Sequence, residues 1–174
     1  MVEILKIDQE VIKKILTLKT PAIIAVSGFG GAGKSTFSGE LSGLIQASVI
    51  CVDQFGVDRA IEDYTHWAGM DFDKLEKEVL VPFSEGKSGG VSNSDFLIIE
   101  GVGLFRPELL KYFTYKIWID CPQGVANARG KKRDREVHKN PQDEKWDGPW
   151  KRNDDEYFNT YKPRDIADLV IYNI

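Results

Sequence analysis

Apolar positions along this chain switch between two periods. Near the N-terminus Ile4, Leu5, Val11, Ile12, Ile15, Leu16 and Leu18 recur at roughly helical spacing, which predicts an amphipathic helix over residues 9–18 that covers one edge of the core. Thr20-Pro21 stops it. Residues 22–27 (AIIAVS) form a short β-branched run, read as a buried parallel strand. After a glycine-rich stretch, residues 34–46 read as a helix with Phe37, Leu41, Leu44 and Ile45 inward, and 48–52 as a second strand. Residues 53–71 are polar, aromatic-rich and irregular. Residues 72–84 return to helical spacing, with Leu75, Val79 and Leu80 on one face and Pro82 expected to end or kink the helix. A turn-rich loop over 86–94 leads to a third strand (96–99), a short helix (107–112), a fourth strand (114–120) and a charged helix (122 to about 137). Residues 138–149, with Asn140-Pro141 and Gly148-Pro149, read as a loop, 150–161 as a helix and 168–172 as a fifth strand. Strands alternating with helices predict an α/β fold with a five-stranded, mainly parallel sheet.

Hydrophobic residues at 42% and charged residues at 29% match an ordinary globular chain, which excludes intrinsic disorder and a collagen-like structure. Cys51 and Cys121 each follow an apolar run and read as buried free thiols, not as a disulfide framework. Cys121 and His138 are too isolated to suggest zinc. A net charge of −4 gives no general surface for nucleic acid or an acidic membrane. No stretch approaches the ~20 apolar residues of a membrane span, and the charges at Glu3, Lys6, Asp8, Glu10, Lys13 and Lys14 break any secretory core. The expectation is a cytoplasmic protein without nucleic-acid or membrane partners; homo-oligomerisation is left open.

Gly28-Phe29-Gly30-Gly31-Ala32-Gly33-Lys34-Ser35 matches G-x-x-x-x-G-K-[ST] in full. It lies between a predicted strand and a predicted helix, the context that supports a phosphate-binding loop, or P-loop. Glycines let backbone N–H groups approach phosphate oxygens without Cβ clashes. The following helix aims its positive end at the same place. Lys34 reaches the outer phosphates as a mobile charge, and Ser35 offers its hydroxyl to Mg²⁺. The pattern predicts a P-loop NTPase three-layer fold that binds a nucleoside triphosphate through Gly28, Gly30, Gly31, Ala32, Gly33, Lys34, Ser35 and Thr36.

The chain has no N-K-x-D segment to read guanine, and its third strand ends in Glu100-Gly101 where a motor-type ATPase would show Asp-Glu. In a parallel sheet the carboxyl ends of strands line the ligand crevice, so Asp53 and Glu100 should meet the P-loop there. Two carboxylates beside Mg·ATP suit metal binding and activation of an acceptor hydroxyl. Against that, Asp53 could cap a helix and Glu100 could sit on a solvated loop. Arg129, Lys131, Lys132, Arg133 and Arg135 form the densest basic cluster. Such a run is either a solvated helix face or, beside a phosphoryl-transfer site, a lid whose arginines stabilise transition-state charge.

With these pieces placed, residues 20–172 resemble the uridine kinase-like branch of the P-loop kinases, with phosphoribulokinase and bacterial-type pantothenate kinase nearby. Gly28 to Thr36 is similar to the family's G-x-S-G-S-G-K-T-T loop. Val52-Asp53-Gln54-Phe55 is similar to its D-x-F-Y segment, and Ile98-Ile99-Glu100-Gly101-Val102 to its V-x-x-E-G strand. Arg129 to Asp134 resembles its R-x-x-x-R-D lid helix, and residues 166–171 its x-A-D-x-I-I strand. The resemblance implies one kinase domain over 1–174, with an N-terminal helix in 1–20 and a lid at about 129–150. It implies that Asp53 accepts the proton of the acceptor hydroxyl and that Lys34 and Arg133 stabilise the transferring phosphoryl group. It further implies that Ser35, with Asp53 or Glu100, holds Mg²⁺, and that Arg129 contacts the nucleotide.

Three departures bear on the acceptor. The segment from His66 to Asp71 resembles the family's H-P-D-A-x-D, but Ala68 stands where its ribose-gripping Asp belongs. Residues 86–95 are too few for the family's β-hairpin over the pyrimidine. Trp146 and Trp150 in the lid region are not a family feature; they either pack under the lid or stack on adenine. Tyr64, His66 and Trp67 are candidates for the acceptor wall. The chain is thus expected to be a Mg²⁺/ATP-dependent kinase of a small-molecule alcohol. Uridine or cytidine is the family-default acceptor. The alternatives are another nucleoside, a sugar or a vitamin precursor, and a P-loop regulator with little turnover.

Overall fold

Ala22–Gly28 forms β1, and all seven of its residues are buried, as a strand covered on both faces requires. In the computed structural model, which describes residues 7–57, 67, 69–87 and 94–174, β1 is the centre of a five-stranded sheet. Its companions are β2 (Ser48–Cys51), β3 (Phe96–Glu100), β4 (Tyr115–Asp120) and β5 (Leu169–Tyr172). The order is β2-β3-β1-β4-β5, and every pairing is parallel. All five carboxyl ends therefore lie along one edge. The strand order reverses beside β1, where the chain first builds toward β2 and then crosses to β4. A crevice opens at such a switch point.

Parallel strands need crossovers, and helices supply them. The helices are α1 (Gln9–Leu16), α2 (Lys34–Ile45), α3 (Phe72–Leu75), α4 (Val81–Ser84), α5 (Pro107–Leu110), α6 (Gln123–Glu136), α7 (Asp143–Asp147), α8 (Pro149–Tyr161) and α9 (Pro163–Ile166). The core runs through the sheet: Ile24, Val26, Ile98, Ile99, Ile117, Trp118 and Ile119 are wholly buried. Helix α2 packs on β1, β2 and β3, and α1 packs on α2, where it buries Ile12 and Ile15. Asp8 caps α1 by accepting the Glu10 N–H at 2.9 Å.

The sheet is five-stranded and wholly parallel, in keeping with the mainly parallel sheet expected. The structure departs from the sequence expectations at several other points. Leu44 is half exposed, because Lys34, Phe37, Ser38, Leu41 and Ile45 define the inward face of α2 and Leu44 lies at its flank. Helix α3 does not stop at Pro82. It runs through a π turn, Glu76–Leu80, into α4, so the widened turn precedes the residue that lacks an N–H. Strand β2 ends at Cys51, and Val52–Phe55 is a 3₁₀ turn. Residues 138–149, read as a loop, contain α7. Cys51 is half-buried, while Cys121 is buried. The 86–94 loop falls largely outside the described residues.

Candidate active site

The P-loop joins β1 to α2 at the carboxyl edge. Gly31 and Gly33 hold φ of +81° and +98°, the left-handed region that disfavours side chains. The space is closed as well: a Cβ on Gly31 would stand 2.0 Å from the Ala126 carbonyl, and one on Gly33 2.6 Å from Asn173 Nδ2. Gly30, Gly31, Gly33, Lys34, Ser35 and Thr36 line a cleft of about 1050 Å³. Gly28 and Ala32 stand behind it: Gly28 ends β1 against Ile119, and Ala32 is wholly buried. The first N–H groups of α2 have no intrahelical acceptor and open toward the loop.

Glu100 ends β3, in register with Val26 of β1 and Cys51 of β2, and is 4% exposed. It is not on a solvated loop. Ser35 Oγ donates to Glu100 Oε1 at 2.9 Å. Gly101 follows because Val52 packs against it; a Cβ there would stand 1.9 Å from Val52 Cγ1. The Lys34 ammonium donates to the Phe29 carbonyl at 2.9 Å. Burial pulls the Lys34 pKa down, opposed by the charges of Glu100, Asp154 and Asp53. Asp53 lies in the 3₁₀ turn after β2, exposed at the wall of the cleft. Burial, with Asp53 and Glu100 nearby, pushes the Cys51 thiol up to about 12.

Arg129 and Arg133, one turn apart on α6, also line the cleft. Arg129 Nη1 donates to the Asn173 carbonyl at 3.3 Å. Arg133 Nε and Nη2 both donate to Asp134 Oδ1, at 3.2 and 3.0 Å, while Trp146 Nε1 donates to Asp134 Oδ2 at 2.7 Å. The buried Asp134 thus sets the direction of Arg133. Arg135 pairs with Asp143 and does not line the cleft. Trp146 is buried against Gly130, whose Cβ would meet the indole at 2.3 Å, and against Gly30. Trp150 meets Trp146 edge-on at 5.1 Å and lines the cleft beside it.

Trp67 and Met70 complete the far wall. Asp71 caps α3 through the Lys74 N–H at 2.9 Å. Tyr64, His66 and Ala68 lie outside the described residues. The sequence reading missed Asn153, Asp154 and Asn173. Asp154 accepts the Gly30 N–H at 3.2 Å, and burial pushes its carboxyl up to about 6. A trace was present: Trp150, Asn153, Asp154, Tyr157 and Tyr161 fall on one helical face, so two polar residues sit within an aromatic stripe. Asn173, after β5, donates to the Ala32 carbonyl at 2.8 Å and so ties the chain end to the P-loop.

Among the described residues no group of three or more His, Cys, Asp or Glu is arranged to cage a metal. Magnesium does not need one: it is commonly held by one or two carboxylates together with substrate phosphates. Ser35 Oγ beside Glu100 Oε1 is a hard-oxygen pair that fits it. The cleft is ample for a nucleotide and a small acceptor together.

No protein-family model matches the chain. Curated relatives are uridine kinases of Ureaplasma parvum serovar 3, 23% identical in an alignment of 148 positions, with 68% of this chain and 72% of theirs covered. A uridine kinase of Ureaplasma urealyticum serovar 10 matches at 22% over the same shares. Among solved structures, a possible uridine kinase from Bacillus stearothermophilus superposes with a TM-score of 0.65 at 20% identity, covering 93% of this chain and 95% of its own. A candidate fructose transport system kinase from Silicibacter sp. TM1040 gives 0.67 at 18% identity, with 92% and 97% covered. Among the described residues no helix is long and apolar enough to cross a membrane. The chain has the fold of the P-loop kinases and is uridine kinase-like in sequence.

Proposed function

We propose that this chain is a Mg²⁺- and ATP-dependent phosphotransferase that moves the γ-phosphate onto a hydroxyl of a small metabolite. The observation that carries the reading is the convergence of Lys34, Ser35, Asp53, Glu100 and Arg133 on one cleft around a P-loop. Phosphoryl transfer asks little covalent chemistry of a protein; positioning and charge stabilisation do most of the catalysis. The N–H groups of the loop and the α2 terminus cradle the phosphates. Lys34 and Arg133 donate to the oxygens of the group in transit. Asp53 takes the proton of the acceptor hydroxyl. Ser35 and Glu100, with Asp53 lining the same cleft, would hold a magnesium ion, which would neutralise phosphate charge. Arg129 and Trp150 flank the nucleotide, and the 129–150 segment acts as a lid of a single kinase domain.

The acceptor wall offers Trp67 and Met70, an apolar surface on which a flat or partly apolar alcohol can rest. Similarity to uridine kinases makes uridine and cytidine the first acceptors to try. A shared fold with a candidate fructose transport system kinase makes sugars the second. The test is ADP release from Mg·ATP with and without such a panel. Release that depends on an acceptor is expected. Steady release without any acceptor would point to hydrolysis, and none with any alcohol to a nucleotide-binding regulator.

A further inference from the structure

The peptide unit joining Phe29 to Gly30 is held from both ends. Its carbonyl accepts from Lys34 Nζ at 2.9 Å, and its N–H donates to Asp154 Oδ2 at 3.2 Å. Asp154 comes from α8, 124 residues further along, is only 8% exposed and lines the cleft. An aspartate is not needed there for packing, and a buried carboxylate is costly unless a cation or donors stand by it. What stands by it is the P-loop, through Gly30 and the charge of Lys34.

The loop has two ends. Gly33, Lys34 and Ser35 open α2, where helix N–H groups hold the inner phosphates. Gly30 belongs to the other end, beside the Lys34 ammonium, which is the group that reaches the outer phosphates. An anion seated at Gly30 and a terminal phosphate would share one stretch of loop, and like charges at contact distance in a half-buried cleft repel strongly. A diphosphate, which stops short of that end, leaves the carboxylate where it is. We propose that Asp154 is a specificity-determining residue of the nucleotide site: a built-in counter-anion at the terminal-phosphate end of the P-loop, which a triphosphate must displace and a diphosphate need not. The inference rests on the reading of this cleft as a nucleotide site.

The test is calorimetric titration of the full chain with Mg·ADP and with the magnesium complex of a non-hydrolysable imidotriphosphate analogue of ATP. Asp154→Asn keeps an oxygen for the Gly30 N–H and removes the charge. It should tighten the triphosphate about fivefold or more and move the diphosphate less than about twofold. Asp154→Ser, smaller and also uncharged, should change the ratio in the same direction. Asp155→Asn removes a charge from the adjacent position, which pairs with Lys151 and Gln123 on the outer side of the helix, and should leave the ratio alone. Equal tightening of both nucleotides, an unchanged ratio, or weaker triphosphate binding in Asp154→Asn and Asp154→Ser would overturn the proposal. Wild-type chain that binds neither nucleotide would overturn the nucleotide-site reading itself and take this inference with it.

Discussion

Ser35 and Glu100 are 65 residues apart in sequence, yet the serine hydroxyl donates to the glutamate at 2.9 Å. The contact follows from topology. Ser35 opens the helix after β1 and Glu100 ends β3, and β1 and β3 are adjacent parallel strands. Their carboxyl ends therefore stand side by side, and the loop after β1 sets Ser35 against the end of β3. A hydroxyl and a carboxylate so placed form a pair of hard oxygens beside the glycine loop, the chemistry a magnesium ion prefers.

Ser35→Ala removes one oxygen of that pair and nothing from the core. The magnesium concentration for half-maximal phosphoryl transfer should rise about tenfold or more. A magnesium titration at fixed ATP reads this directly, and an unchanged midpoint would remove Ser35 from the metal site.

Gly31→Ala meets both a positive φ and the Ala126 carbonyl at 2.0 Å. It should destabilise the fold by more than about 1 kcal/mol and weaken ATP binding with it. A methyl group on Gly39 of α2 would meet nothing within 4 Å, so Gly39→Ala should instead stabilise by about 0.5–1 kcal/mol. Urea denaturation of the two variants checks the contrast in sign.

The free thiols should be quiet in the native state. Cys51 is pushed up to about 12 by burial and by Asp53 and Glu100, and burial also raises Cys121. Thiolate is the reactive form. Neither cysteine should react promptly with a disulfide reagent at pH 7.5, and both should react in urea. Rapid native-state labelling of Cys51 would show that burial and the nearby carboxylates do not keep it protonated.

Asp154 ties stability to pH. Its carboxyl titrates near 6 in the folded chain against an ordinary 3.8, because burial outweighs Lys34 and the Gly30 N–H; Asp155 and Lys151 lie on its own helix. A raised carboxylate pKa means the folded state binds the extra proton between those values, so stability falls as pH rises from about 4 to about 6. The rise from 3.8 to about 6 corresponds to at most about 3 kcal/mol. Asp154→Asn should therefore be more stable than wild type at pH 8, and the gap should close by pH 4. Urea midpoints across that range measure it; a gap that widens toward acid would reverse the sign.

The glycine loop and the sheet were legible because their rules are local or topological. A β-branched run, a glycine loop and a helix identify the P-loop in one short segment, and parallel pairing then carries Asp53 and Glu100 to it. Helix α7 was hidden because five residues do not make a stable helix by themselves. Trp146 anchors it by packing on Gly130 and Gly30, and Pro141 before it and Gly148-Pro149 after it conceal it in sequence. Asp154 was hidden for another reason: a charge on a helix reads as solvated unless its partner is known, and that partner is a backbone N–H far away in the chain. Asp134 stood inside a recognised motif, yet its link between Arg133 and Trp146 depends on where α7 folds back.

Asp53 lines the cleft beside the P-loop, where its role as proton acceptor in the transfer step outweighs any share in holding the nucleotide, and one paired measurement tests it. ATP affinity and acceptor-dependent ADP release are measured for wild type and Asp53→Asn with the best acceptor of the panel. Nearly unchanged ATP affinity and a loss of transfer of about 10²-fold or more are expected in the variant. A variant that keeps wild-type transfer would contradict it.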